Sequence, residues 1–167
     1  AAAAGADTVV VASSSEAQGP ALADAAPLAE TAPCEPVSDY GASKQRAETV
    51  ATEWGAAHDR PPLVLRIGNI YGPGSPWMLQ PSLLALLGAT PLGHAWPQLH
   101  GRVFQPLYLD DCVEGMVRAV GEGLSGTYNL TGSTPVTLAA YVQQLASLAG
   151  LLPQYEALRD TRLAGTG

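Results

Sequence analysis

Two short apolar runs, held apart by one long helical stretch, constrain this chain more than any other feature. Asp7 to Ala12, with Val9-Val10-Val11 at its centre, reads as a central parallel strand. Leu63-Val64-Leu65-Arg66-Ile67 reads as a second strand. The spacing predicts a helix from about Asp39 to His58, with Tyr40, Lys44, Ala47, Ala51 and Trp54 recurring along it. Pro61-Pro62 stops that helix, and the next strand resumes within a few residues, as expected of an αβ unit. Pro20 to Pro36 is rich in Ala, Pro and acidic residues and reads as a loop leading into the helix.

Beyond Gly74 the pattern predicts a helix over Trp77–Leu87, a loop over Gly88–Gly101 and a strand over Val103–Leu109. Asp111-Cys112-Val113-Glu114 fits a capping box for a following helix, which gives Asp110 and Asp111 a structural role. Gly126–Leu130 reads as a strand. Thr137 is placed to cap a last helix with Leu138, Tyr141, Val142, Leu145 and Leu148 on one face, ended by Gly150.

Composition narrows the function classes. A length of 167 residues suits one domain with a modest core, and 47% hydrophobic residues is ordinary for a globular chain. A net charge of −7 argues against nucleic acid, which calls for a basic surface. No apolar run approaches the roughly 20 residues that span a bilayer. The first residues lack the basic start of a signal peptide. Cys34 and Cys112 form neither a metal motif nor a disulfide framework, and free thiols fit a reducing cytoplasm. His58, His94 and His100 lack metal-ligand spacing and are assigned to loops or surface.

Lys44 is the only lysine, against seven arginines, and it follows Tyr40 by four residues. A lone ammonium among guanidiniums suggests a position needing a compact point charge rather than a planar fork. Residues four apart share a helix face, so the ammonium would lie beside the phenol. A free phenol titrates near 10. A cation about 4 Å away favours phenolate by roughly 4 kcal/mol at an effective dielectric of 20. Such a pair is suited to general acid–base chemistry at neutral pH.

Three segments occur in order: Val9-Val10-Val11-Ala12-Ser13-Ser14-Ser15-Glu16, then Tyr40-x-x-x-Lys44, then Arg66-x-x-Asn69-x-Tyr71-Gly72-Pro73-Gly74. Together with Tyr108-Leu109-Asp110-Asp111 and Gly126-Thr127-Tyr128-Asn129-Leu130, they resemble the extended short-chain dehydrogenase/reductases, the NAD(P)-dependent epimerases and dehydratases of nucleotide sugars. The resemblance implies an α/β fold, the C-terminal half of a Rossmann-type doubly wound parallel sheet with a smaller substrate-binding α/β subdomain. Residues 1–73 would belong to the dinucleotide-binding domain, and 74–167 mainly to the substrate subdomain, interleaved with the sheet. NAD or NADP is the implied cofactor, and a nucleotide sugar the implied substrate. Catalysis would fall to Ser14, Tyr40, Lys44 and Glu16. Ala12, Ser13, Tyr40, Lys44 and Ile67 would line the cofactor; Ser15, Asn69 and Arg102 would contact substrate. No metal is implied, and a homodimer through the Tyr40 helix is an expectation of the resemblance.

The chain also departs from that pattern. The family's Gly-x-x-Gly-x-x-Gly turn, which receives the pyrophosphate at a helix N-terminus, occurs nowhere in the sequence. The expected reading is therefore a C-terminal portion of a longer enzyme that by itself binds NAD poorly. Gln18 stands where the family has tyrosine, and Phe104 where it has a diphosphate-clamping arginine; Arg102 lies two residues away. Ser14-Ser15-Glu16 is similar to the triplet of nucleotide-sugar dehydratases, whereas 4-epimerases carry small residues there. Two alternatives stay open: an NADPH-dependent ketoreductase with net hydride transfer, and a catalytically silent binding protein of the same descent.

Overall fold

The computed structural model describes residues 8–20, 28–74 and 102–163. The helix expected over 77–87 and the loop over 88–101 lie outside those residues. In chain order the elements are β1 (Val10–Ser14), a 3-10 turn (Ser15–Ala17), α1 (Asp39–His58), β2 (Leu63–Ile67), β3 (Ile70–Tyr71), β4 (Val103–Phe104) and β5 (Leu107–Tyr108). They continue as α2 (Leu109–Gly121), β6 (Gly126–Leu130), β7 (Val136–Thr137), α3 (Leu138–Leu148) and α4 (Leu152–Leu163).

The main sheet is parallel, in the order β1-β2-β6. Among the described residues β2, not β1, is the central strand, and β1 stands at the edge. Burial of both faces explains why β2 is a continuous apolar run rather than an alternating one. Leu63 and Leu65 pack with Ala119 of α2, with Ile67, Met116 and Leu130 around them. Arg66, between Leu65 and Ile67, reaches Glu48 of α1 on the opposite face. One helix on each face makes this a Rossmann-type α/β arrangement.

α1 and β2 have the bounds the sequence predicts. Ser38 caps α1 by accepting from the Gly41 N–H, and Asp59 ends it in the left-handed region. The strand expected over Val103–Leu109 is instead two short pieces with different partners: β4 pairs antiparallel with β7, and β5 parallel with β3. Pro106 between them has no N–H for a ladder.

The capping box expected at Asp111–Glu114 does not form. α2 starts at Leu109, Tyr108 provides no side-chain cap, and Asp110 and Asp111 fall inside the first turn. There their carboxylates meet the positive end of the helix dipole. Thr137 does cap α3, accepting from the Ala140 N–H at 3.1 Å. The buried face of α3 centres on Val142 and Ala146 because α4 returns across it with Tyr155. Leu148 lies off that face and is 80% exposed. α4 itself had no signal in the sequence reading.

Candidate active site

β1 delivers the site's first side chains. Parallel sheets carry ligands at the C-terminal ends of their strands, and β1 ends in Ser13-Ser14 with Ser14 paired to Ile67 of β2. Ser14 then becomes the N-cap of the 3-10 turn, its Oγ accepting from the Glu16 N–H at 3.2 Å. A hydroxyl has one donor and two acceptor positions, so the Ser14 O–H is still available to another oxygen.

The first turn of α1 docks on this 3-10 turn. Gly41 is buried there, and a Cβ at that position would collide with the Glu16 carbonyl oxygen and lie 3.1 Å from the Pro36 Cβ. Glycine lets the first turn of the helix, which carries Tyr40, approach closely to the 3-10 turn that follows β1. Gly41→Ala is therefore expected to lower stability by about 1–3 kcal/mol through overpacking. Urea denaturation checks this, and an unchanged midpoint would show that the helix does not need the close approach.

Lys44, one turn further on, donates from Nζ to the Ala12 carbonyl at 2.9 Å. Its Nζ also lies 5.5 Å from the centroid of the Tyr40 ring. The cation and the phenol are thus neighbours, as the four-residue spacing predicts. Tyr40 is 52% exposed, so its hydroxyl is open to a ligand.

Glu16 sits at the same corner, but its carboxylate is engaged: Ser38 donates to Oε2 at 2.7 Å while accepting from the Gly41 N–H. A carboxylate there is favourably placed at the N-terminus of α1. Ser15 is half-buried and its carbonyl accepts from the Gln18 N–H. Gln18 has a structural task, donating from Nε2 to the Ala29 carbonyl at 2.7 Å.

The remaining expected residues are dispersed. Asn69 is exposed just past β2, and its carbonyl accepts from the Leu107 N–H. Arg102 is exposed before β4, its carbonyl accepting from the Leu138 N–H. No hydrogen bond or ion pair among the described residues joins either side chain to Ser14, Tyr40 or Lys44. Phe104 packs edge-on against Tyr141, ring centroids 5.5 Å apart. Tyr71 and Tyr108 do likewise at 5.4 Å.

A buried ionic cluster behind the site had no role in the sequence reading. Arg66 forks onto Glu48 with contacts of 2.8, 3.0 and 3.2 Å. Ser13, itself buried, donates to the same carboxylate. The guanidinium also donates to the Glu30 carbonyl at 3.0 Å and to the Cys34 Sγ at 3.2 Å. The hydrogen bond to Glu48 raises the Arg66 pKa above its usual value. Two signals pointed here: Glu48 is one turn after Lys44, and Arg66 is a charge inside an apolar strand. Among the described residues no group of three His, Cys, Asp or Glu could hold a metal, and no helix is long and apolar enough to cross a membrane.

A parallel sheet covered on both faces, with the first turn of a Tyr-Lys helix docked on the turn after β1, is a Rossmann-type arrangement. The profile of the NAD dependent epimerase/dehydratase family matches residues 1–131, and the chain belongs to that family. It is 33% identical over 140 residues to a 3-diazoavenalumate denitrifying reductase from Streptomyces sp, covering 81% of this chain and 43% of that protein. In structure it is similar to the dTDP-glucose 4,6-dehydratase of Streptomyces venezuelae, solved as a double mutant with NAD and DAU bound. The TM-score is 0.73 at 28% identity, over 89% of this chain and 46% of the other. Similarity to the UDP-glucose 4-epimerase of Thermus thermophilus, in complex with NAD, has a TM-score of 0.71 at 26% identity, over 87% and 49%. The chain spans about half the length of these relatives.

Proposed function

We propose that this chain provides the catalytic side of an NAD(P)-dependent epimerase or dehydratase that acts on a nucleotide sugar through transient oxidation at one carbon. The observation that carries this reading is the convergence of Tyr40, Lys44 and the β1 terminus at the C-terminal edge of a parallel sheet. NAD(P), when bound, takes up and returns the hydride.

The residues present fit one half of that cofactor. Lys44, with three N–H donors and one of them on the Ala12 carbonyl, has donors to spare for ribose hydroxyls. Ala12, Ser13 and Ile67 bring backbone to the same edge, whereas the pyrophosphate turn is not in this sequence.

In the oxidising direction Tyr40 takes the proton from a substrate hydroxyl, and the hydride leaves the carbon bearing it for the cofactor, producing a ketone. Ser14 donates its O–H to that oxygen and holds it in place. The Lys44 ammonium lies beside the Tyr40 ring and in contact with the Ala12 carbonyl. On the return step the phenol gives the proton back. Asn69 and Arg102 are assigned to the substrate's diphosphate, on the edge that follows β2.

Glu16 decides between dehydration and epimerisation. Released from Ser38, its carboxylate would assist elimination next to the keto carbon. Incubating the complete enzyme with nucleotide-activated hexoses is expected to yield a 4-keto product without net cofactor consumption, and Glu16→Ala is expected to suppress it. Normal turnover in Glu16→Ala, or accumulation of 4-epimers alone, would leave Glu16 as the N-terminal acid of α1.

A second reading, a ketoreductase with net hydride transfer, is supported by the reductase among the relatives and by Phe104 standing against Tyr141 in place of a diphosphate-binding cation. Cofactor accounting separates the two, since a reductase consumes reduced cofactor in stoichiometric amount.

A further inference from the structure

The cluster behind the site joins three elements at one point: Ser13 from β1, Glu48 from α1 and Arg66 from β2. Ser13 and Arg66 are direct partners in the parallel ladder, so the two strands present one fixed pair of donors to the helix. Glu48 accepts from both and stands one turn after Lys44 on the same helix. Lys44 in turn meets the carbonyl of Ala12, the residue before Ser13. The side chains of Arg66 and Glu48 are 7% and 10% exposed, so water cannot readily replace either partner.

Hydrophobic packing alone leaves a helix free to slide or rotate on a sheet at small cost, because its contacts are non-directional. A bidentate guanidinium–carboxylate contact is directional and tolerates little displacement. Only Gly41, Glu48 and Gly55 of α1 are buried, so the helix has little buried apolar side chain to fix its place. Gly41 faces the 3-10 turn and Gly55 the segment 60–62, whereas Glu48 reaches both strands.

We infer that Ser13, Glu48 and Arg66 are positioning residues that set the register of α1 on β1 and thereby hold Lys44 between the Ala12 carbonyl and the Tyr40 ring. The proposal rests on the reading of Tyr40 and Lys44 as the proton-transfer pair, but its geometric content can be measured without any substrate.

The single lysine supplies the probe. In this chain labelled with 13C,15N-lysine, Lys44 gives the only side-chain ε-CH2 signal of its kind. The parent chain is expected to show two separate ε-proton shifts and a nuclear Overhauser contact to the Ala12 backbone or methyl group. In Ser13→Ala/Glu48→Leu/Arg66→Met, which removes every polar member of the trio together, the ε protons are expected to merge and the contact to fall at least fivefold while the amide spectrum stays dispersed. A folded triple variant that keeps the parent contact would overturn the proposal, because the trio would then contribute stability and nothing more. Should the triple variant not fold, Ser13→Ala alone decides: a weakened contact supports the proposal, and a contact equal to the parent's overturns it. These outcomes are independent of turnover, so failure of the assigned chemistry and failure of the positioning role are told apart.

Discussion

On the proposed function, Tyr40→Phe is expected to lower turnover by about 10²–10⁴-fold, the usual worth of a positioned proton-transfer group, without loss of fold. The phenol is half-exposed, and Phe keeps the ring. Lys44→Arg is expected to fail as well, although it conserves charge. The ammonium fits the space between the Ala12 carbonyl and the Tyr40 ring as a point charge. A planar guanidinium spreads its donors over a fork that does not match one carbonyl and one phenol. Steady-state rates with circular dichroism on each variant make the comparison. Full activity in Lys44→Arg would remove Lys44 from the assigned chemistry.

The second large effect is on stability. Glu48→Ala leaves the Arg66 guanidinium buried with its main partner gone, and breaking a buried pair in this way costs about 3–5 kcal/mol. Against a typical domain stability of roughly 5–15 kcal/mol, such a loss can unfold the protein. The apolar triple variant Ser13→Ala/Glu48→Leu/Arg66→Met is expected to recover most of it, since a buried ionic group replaced by packed apolar side chains is often neutral or stabilising. Urea denaturation of parent, Glu48→Ala and triple variant measures both steps. If Glu48→Ala costs less than about 1 kcal/mol, the pair is better hydrated than its burial indicates.

Local signals in the sequence carried far. The 20-residue helix from Asp39 to His58 is legible because Tyr40, Lys44, Ala47, Ala51 and Trp54 recur along it and Pro61-Pro62 stops it. Leu63–Ile67 was legible because a doubly covered parallel strand is apolar throughout. The Tyr40–Lys44 neighbourhood followed from helical spacing alone. What escaped depended on contacts between distant segments. A charge inside an apolar strand marks Arg66 as needing a partner, but nothing local names Glu48, Cys34 or Glu30 as the groups it meets, or Ser13 as the donor to Glu48, because they are distant in the chain. The division of 103–108 into β4 and β5 likewise reflects two different partner strands, with only Pro106 as a local hint. The start of α2 was misplaced because aspartates suit both an N-cap and a first turn.

The order β1-β2-β6 also bears on how the protein is made. Val10 must find Leu63, and Leu63 must find Gly126, so each seam of the sheet joins segments separated by a long stretch of chain. At roughly 5–20 residues per second of synthesis, β2 waits several seconds with one edge open before β6 has been made. During that interval Leu63-Val64-Leu65 has an apolar edge without a partner strand, the kind of edge that pairs with other chains. Its one charged residue, Arg66, is drawn toward Glu48 on the already completed α1, which gives the nascent strand a partner inside its own chain. Expression at lowered temperature, or with a chaperone that shields exposed strands, should therefore raise the yield of soluble protein more than any change at the catalytic corner.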